Sequence, residues 1–197
     1  MKVLVACECS GVVRDAFRAR GHDAWSCDIK PCERDNERHI QDDVSGVLRR
    51  GWHLVIAHPP CTDLSVSCSR LWKQKQADGR QRVAVDFFML FTRLTCRWAI
   101  ENPVGYMSTH YRKPDQIIQP WQYGHDASKK TCLWLSELPL LKQTTIVPPR
   151  MVNGLPRWDN QTDSGQNKLP PSEIRATERS RTYHGIAAAM AEQWGGK

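Results

Sequence analysis

Apolar residues fall in short blocks along this chain, and the blocks alternate between two spacings. Residues 2–7, KVLVAC, form a continuous apolar run of strand length. Residues 10–21, SGVVRDAFRARG, then place Val12, Val13, Ala16, Phe17 and Ala19 at helical spacing, closed by Gly21. DAWSCD (23–28) predicts a second strand ending at Asp28, a short helix is expected over 45–50, and HLVIAH (53–58) predicts a third strand. Residues 83–98 read as a strong amphipathic helix, AIENP as a strand ended by Pro103, 131–135 as a further strand, and HGIAAAMAEQW as a closing helix. Strand and helix alternate, so the expected fold class is α/β, a mostly parallel sheet with helices on both faces, in one domain over 1–197. Residues 142–171 are rich in Pro, Asn, Gln, Thr and Gly and lack apolar periodicity, which predicts a long irregular surface segment.

Composition narrows the class. Hydrophobic content of 40% and charged content of 25% fit a soluble globular protein. No apolar run approaches the ~20 residues a membrane span needs. The opening MKVLVACECSG is too short for a signal peptide and is interrupted by Glu8, so a cytoplasmic protein with no membrane partner is expected. The net charge of +7 suits a polyanionic partner. Eight cysteines without a secretion signal point to reduced thiols. No Cys-x-x-Cys pair exists and the histidines lack finger spacing, so no metal is expected.

The chemistry concentrates where strands end. In VIAHPPCTDLS (55–65), Pro59 and Pro60 fix the backbone and remove two donors just before Cys61. Ligands of open parallel sheets bind beyond the carboxyl ends of the strands, and a stiff loop there can aim a nucleophile. A buried structural cysteine beside a turn is the plainer reading of the same residues. AIENPVG places Glu101 at another strand end, where a crevice carboxyl tends to have a raised pKa and can donate a proton. The plainer reading is an exposed turn carboxylate.

Together, PPC (59–61) and ENP (101–103) resemble, in order and placement, the Pro-Cys and Glu-Asn-Val motifs of the DNA cytosine-C5 methyltransferases. The resemblance implies a Rossmann-like, S-adenosylmethionine-dependent methyltransferase fold. It makes Cys61 the nucleophile that adds to C6 of cytosine and Glu101 the proton donor to N3. ACECSGVVRDAF resembles the family's first donor-binding motif and implies a donor site at Cys7, Glu8, Ser10 and Gly11. The same resemblance places Asp28 at the donor's ribose and Asp43 at its adenine, and counts Ile29 and Pro59 among the donor-binding residues. YGHDASKKTCLWL resembles a later motif in which Lys129 and Lys130 supply the positive charge. The string CDI, HPPCT, IENPVG, IIQPWQYGH, SKKTCLWL and RSRTYHGIA resembles small methylase-like proteins common in bacteriophages, which implies a bacterial host cytoplasm. Departures are Thr62 where the family has Gln, a single glycine in the first motif, and no large target-recognition domain. DNA is therefore the expected partner, read with low sequence specificity, with Arg150 and Arg157 available for contact. The stretch carrying Arg70, Lys73, Lys75, Arg80 and Arg82 around Gly79 is expected to be a mobile basic segment that holds phosphates beside Cys61.

Three other readings compete. Amino-methyltransferases carry an Asp/Asn-Pro-Pro-aromatic loop, and here His58 and Cys61 replace its first and last residues, which favours C5 chemistry. The same chemistry could act on RNA or a nucleotide. A non-catalytic nucleic-acid-binding protein is the third.

Overall fold

The computed structural model describes residues 1–34, 37–170, 172 and 178–196. Its strands are β1 (Lys2–Ala6), β2 (Asp23–Asp28), β3 (His39–Gln41), β4 (Leu54–Ala57), β5 (Arg97–Pro103), β6 (Gln116–Ile118), β7 (Thr131–Ser136), β8 (Arg150–Val152) and β9 (Leu155–Arg157). Its α-helices are α1 (Val12–Ala19), α2 (Trp72–Ala77), α3 (Arg80–Phe91), α4 (Met107–His110) and α5 (His184–Gly195). Seven strands form one sheet in the order β3-β2-β1-β4-β5-β7-β6, and β8 and β9 form a separate hairpin. The pairings from β3 through β5 are parallel, while β7 runs antiparallel to both β5 and β6. The architecture is α/β and Rossmann-like, with a mostly parallel mixed sheet flanked by helices.

Alternation along the central strands explains the layers. Val3, Val5, Leu54 and Ile56 point to the face covered by Phe17 of α1 and by Ile186, Met190 and Trp194 of α5. Leu4, Ala6, Val55 and Ala57 point to the opposite face, which Phe88 and Phe91 of α3 and Met107 of α4 cover. Because β1 and β4 are buried on both sides, they read as continuous apolar runs. Among the described residues, no helix is long and apolar enough to cross a membrane.

Several expectations need correction. The helix expected over 83–98 begins at Arg80, after Gly79 at φ 81°, and ends at Phe91. Arg97 and Trp98 belong instead to β5, where Trp98 pairs with both Val55 and Ser136 and is buried. The short helix expected over 45–50 is a 3-10 turn over Val44–Gly46, capped by Asp43. The basic stretch 66–82 is not an open loop. It folds as a 3-10 turn (Val66–Leu71), α2 and the start of α3. The segment 142–171 contains the β8–β9 hairpin, whose tip Asn153 (φ 50°) and Gly154 (φ 75°) supplies the left-handed pair that a tight hairpin turn requires.

Candidate active site at the strand ends

The chain runs outward from β1 to β2 and β3, then crosses back to β4 on the other side of β1. Such a reversal of strand order opens a crevice above the carboxyl ends of the two central strands. The loop after β1 carries Cys7 to Gly11, and the loop after β4 carries His58 to Cys61, so the two expected sites flank one crevice.

On the β4–β5 side the backbone is clamped. The His58 amide donates to the Ala6 carbonyl (2.9 Å), extending the β1–β4 pairing by one residue. Asn102 Nδ2 donates to the Pro59 carbonyl at 2.8 Å, tying the end of β5 to the proline loop. The Leu64 and Ser65 amides donate to the Cys61 carbonyl (3.0 and 2.9 Å), which closes the turn that holds the thiol. Farther along, Val66 N–H donates to Val104 O (3.0 Å) and Tyr106 N–H to Leu64 O (2.7 Å), around a Ser65–Gly105 bridge. A Cβ at position 105 would lie 2.1 Å from the Leu64 carbonyl oxygen, so only glycine allows this crossing. The loops bearing Cys61 and Glu101 are thus joined at two points.

Lys75 completes the clamp and corrects an expectation. It is 3% exposed, donates from Nζ to the Thr62 carbonyl at 2.6 Å and pairs with Asp63 at 2.9 Å. A buried ammonium used in this way holds the cysteine loop and is not offered to a phosphate. Gln81 adds a second tie, from Nε2 to Asp63 O at 3.2 Å.

Glu101 Oε2 lies 2.9 Å from His58 Nδ1, with both side chains largely buried. Burial alone would push this carboxyl's pKa up. The hydrogen bond from His58 and the Lys129 ammonium outweigh burial and hold it below the usual carboxylate range. The raised pKa expected for Glu101 is therefore corrected, because a basic partner faces it at hydrogen-bond distance. Cys61 is half-buried, and burial followed by the Glu101 charge pushes its thiol up, with Lys129 acting the other way. Lys129 is half-buried and its Nζ donates to Arg181 O at 3.5 Å. Its charge bears on Cys61 and Glu101, while Lys130 is exposed. Thr182, Tyr183 and Ile186 line a small cavity with Glu101 and Lys129.

On the β1–β2 side the side chains are engaged differently. Glu8 is buried, and its carboxylate accepts from the Val13 amide (2.7 Å), the Arg14 amide (3.2 Å) and the Ser10 hydroxyl (3.2 Å). The Glu8 and Ser10 side chains are thus turned inward onto the first turn of α1, so what they offer at the expected donor site is their backbone. Burial pushes Glu8 up, opposed by His58 and by these hydrogen bonds. Gly11 sits at φ 69°, where a Cβ would come 2.8 Å from Arg14 Nη2. Cys7 is left-handed at φ 59°, and its thiol is pushed up by burial and then by Asp28, Cys27 and Asp43. The parallel registers of β1, β2 and β3 bring the three strand ends to one place. Asp28 Oδ1 accepts from the Lys30 amide (2.9 Å), Asp43 Oδ1 accepts from the Ser45 amide (2.8 Å), and Ile29 is 74% exposed beside them. Pro59 is buried, its carbonyl taken by Asn102.

Of the remaining cations, Arg70 and Lys73 are exposed, Arg80 pairs with Asp78 (2.6 Å), and Arg82 lies 3.6 Å from Asp86. Arg150 pairs with Asp163 (2.6 Å), and Arg157 Nε donates to the Asp163 carbonyl (3.0 Å), so both brace the hairpin's base. All eight cysteines are free thiols. Four residues central to this geometry were not singled out by sequence: His58 in its contact with Glu101, Asn102, Gly105, and Lys75 as a buried anchor. His58 carried a signal, because it is a titratable residue placed directly after an all-apolar strand.

The fold and the site define an α/β protein with a thiol, a carboxyl group and an imidazole at adjacent strand ends. Comparison with protein families finds no family model that matches the chain, and comparison with curated proteins finds no match.

Proposed function

We propose that the protein is a DNA cytosine-C5 methyltransferase that uses S-adenosylmethionine and works through a covalent adduct at Cys61. The observation that carries this reading is the clamp: Cys61 and Glu101 stand at the ends of neighbouring parallel strands, held together by Asn102–Pro59 and by the Gly105 crossing. Carbon 5 of cytosine is a weak nucleophile. Addition of the Cys61 sulfur to C6 with protonation of N3 by Glu101 makes C5 enamine-like, which is the step that needs both groups together.

The crevice residues fit a donor of this kind. The exposed face of Ile29 can cover a flat ring of the donor, and Asp28 and Asp43 stand with Cys7 at three neighbouring strand ends. The backbone of 7–11, Asp28, Ile29 and Asp43 would hold the donor, with Glu8 and Ser10 shaping the turn from inside. When bound, S-adenosylmethionine supplies an electrophilic methyl group. Cys61 supplies the nucleophile, Glu101 places a proton at the ring nitrogen, and Lys129 favours the anionic forms of both. DNA is the proposed polyanion, met by a surface with net charge +7 and the exposed Arg70, Lys73 and Lys130. The short β8–β9 hairpin is a small reader, which supports low sequence specificity.

The test is mass spectrometry of nucleosides after incubating the protein with S-adenosylmethionine and unmodified DNA. Appearance of 5-methylcytosine supports the reading. N4-methylcytosine or N6-methyladenine in its place overturns it.

A further inference from the structure

His58 stands in the middle of a buried line of titratable side chains that comes from three strand ends. Glu8 lies at the end of β1, His58 at the end of β4 and Glu101 in β5. His58 Nδ1 meets Glu101 Oε2 at 2.9 Å, and His58 Nε2 is buried with no hydrogen-bond partner among the described residues. A carboxylate oxygen can only accept, so the ring carries a proton on Nδ1 that points at Oε2. No hydrogen bond to Glu101 Oε1 is found among the described residues, which leaves that oxygen for a ligand.

We propose that His58 is a positioning residue for Glu101: by donating from Nδ1 to Oε2 it directs any proton on the carboxyl to Oε1, toward the ring nitrogen of the target base, and holds the carboxylate that remains. This rests on the reading of Cys61 and Glu101 given above. The step balances without an outside reagent. Cys61 starts as a thiol: its proton passes to the Glu101 carboxylate at Oε1 as sulfur forms the S–C6 bond, the C5=C6 π pair moves to C4–C5 and the C4=N3 π pair moves to N3. N3 takes the proton from Oε1, and the restored carboxylate charge is met by the Nδ1–H already in place. The proton returns to Oε1 when the S–C6 bond breaks. A donor that stays fixed on one oxygen lowers the cost of the conjugate base without reorganisation, which is how a preformed hydrogen bond helps a general acid.

Among the described residues, the other charged and titratable groups around the pair are Lys129 before β7, Cys61 after β4, Cys132 on β7, Glu8 after β1 and Tyr183, which lines the same small cavity as Glu101. Among the described residues only His58 is hydrogen-bonded to Glu101, so removing it should act more strongly than changing its neighbours.

Two variants separate positioning from simple packing. His58→Leu keeps the bulk and deletes the donor. His58→Asn can put an amide N–H where Nδ1 stands. With 13C-labelled glutamate and Glu101→Gln as the assignment control, the Glu101 carboxyl of the free protein is titrated by NMR. Its pKa should rise in His58→Leu, as burial is left less opposed, and stay low in His58→Asn. Covalent trapping on a 5-fluorocytosine oligonucleotide should slow by about 10- to 100-fold in His58→Leu, the range for losing a hydrogen bond to a charged group. Its pH profile should move with the Glu101 titration, and His58→Asn should recover most of the rate. An unchanged Glu101 titration in folded His58→Leu overturns the inference whatever the protein methylates. So does a shifted titration with an unaltered trapping profile. Expected titrations in all variants with no methyl transfer by wild type would instead overturn the reading of the function, leaving the His58–Glu101 pairing in place.

Discussion

At the end of β1, Glu8 and Ser10 turn their side chains inward onto the first turn of α1, while at the ends of β4 and β5 Cys61 stays half-buried and Glu101 keeps one oxygen uncommitted. Both regions hold their loops in place, but by different parts of the chain. On the β1 side, polar side chains shape the turn, and what remains for a ligand is backbone, the exposed Ile29, and the aspartates of the neighbouring strands. On the β4–β5 side, the shaping is done from behind, by Asn102, Lys75 and the Gly105 crossing, so the side chains that face the crevice are available for chemistry. The difference matches the two tasks the proposed reaction sets: holding a large, flexible donor, and attacking one ring atom.

Mutations at these two ends sharpen the contrast, and the largest effect belongs to Cys61. Cys61→Ser should abolish methyl transfer while leaving S-adenosylmethionine affinity unchanged by calorimetry, because a hydroxyl at neutral pH is a far weaker nucleophile. Equal loss of donor binding would mean that the two ends of the crevice do not divide the work. Glu101→Gln should follow, slowing single-turnover methyl transfer by roughly 10²-fold, as for a lost general acid. A near-normal rate would return Glu101 to the role of a turn residue.

Gly105→Ala should cost at least about 2 kcal/mol of stability, at the upper part of the overpacking range, because its Cβ meets a backbone oxygen. Ser65→Ala, in the same crossing but without that clash, should cost less in the same urea titration. A fully stable Gly105→Ala would show that the two loops are not locked together.

Acid stability gives a smaller, signed effect. The folded pKa of Glu101 lies below its unfolded value, so its contribution is present above the ordinary carboxylate range and is lost as pH falls through the lower, folded value. Glu101→Gln should therefore flatten that part of the stability profile, measured as denaturant midpoint against pH. Glu8 has the opposite sign: burial raises its folded pKa, so its contribution favours low pH and fades as pH rises through that value.

How much of this was legible in the sequence follows from range. The strands Lys2–Ala6, Asp23–Asp28 and Leu54–Ala57 and the closing helix were readable because burial on both faces, or along one stripe, writes a local period. The three-residue strands β3 and β6 were not, since a run that short carries no period and exists through its neighbour's hydrogen bonds. The helix expected over 83–98 overran because Cys96 and Trp98 prolong the apolar pattern, while the pairing of Trp98 with Val55 decides for strand. At the site, Cys61 and Glu101 could be named from their flanking prolines. The contacts that tune them join residues 43 apart (His58–Glu101 and Pro59–Asn102), and no local pattern encodes such a distance. Lys75 was misread for the same reason, because its role depends on Thr62 and Asp63 folding back over it.

The smallest effects separate exposed from buried cations. Neutralising Arg70, Lys73, Arg80 and Arg82 together should weaken DNA binding and flatten its salt dependence, by up to about 0.9 in log–log slope for each phosphate left without its cation. Lys75→Met should leave that slope unchanged and lower stability instead. Equal slopes for wild type and the four-site variant would move the DNA to another face.

The most direct measurement is peptide-level mass spectrometry of the protein after reaction with S-adenosylmethionine and a DNA oligonucleotide carrying 5-fluorocytosine. Fluorine at C5 removes the proton whose loss lets the cysteine leave, so the adduct persists. The account predicts a single modified peptide, with Cys61 joined to a methylated fluorocytosine. An adduct on Cys68 or Cys96, or 5-methylcytosine formed in ordinary DNA with no trapped adduct, would contradict it.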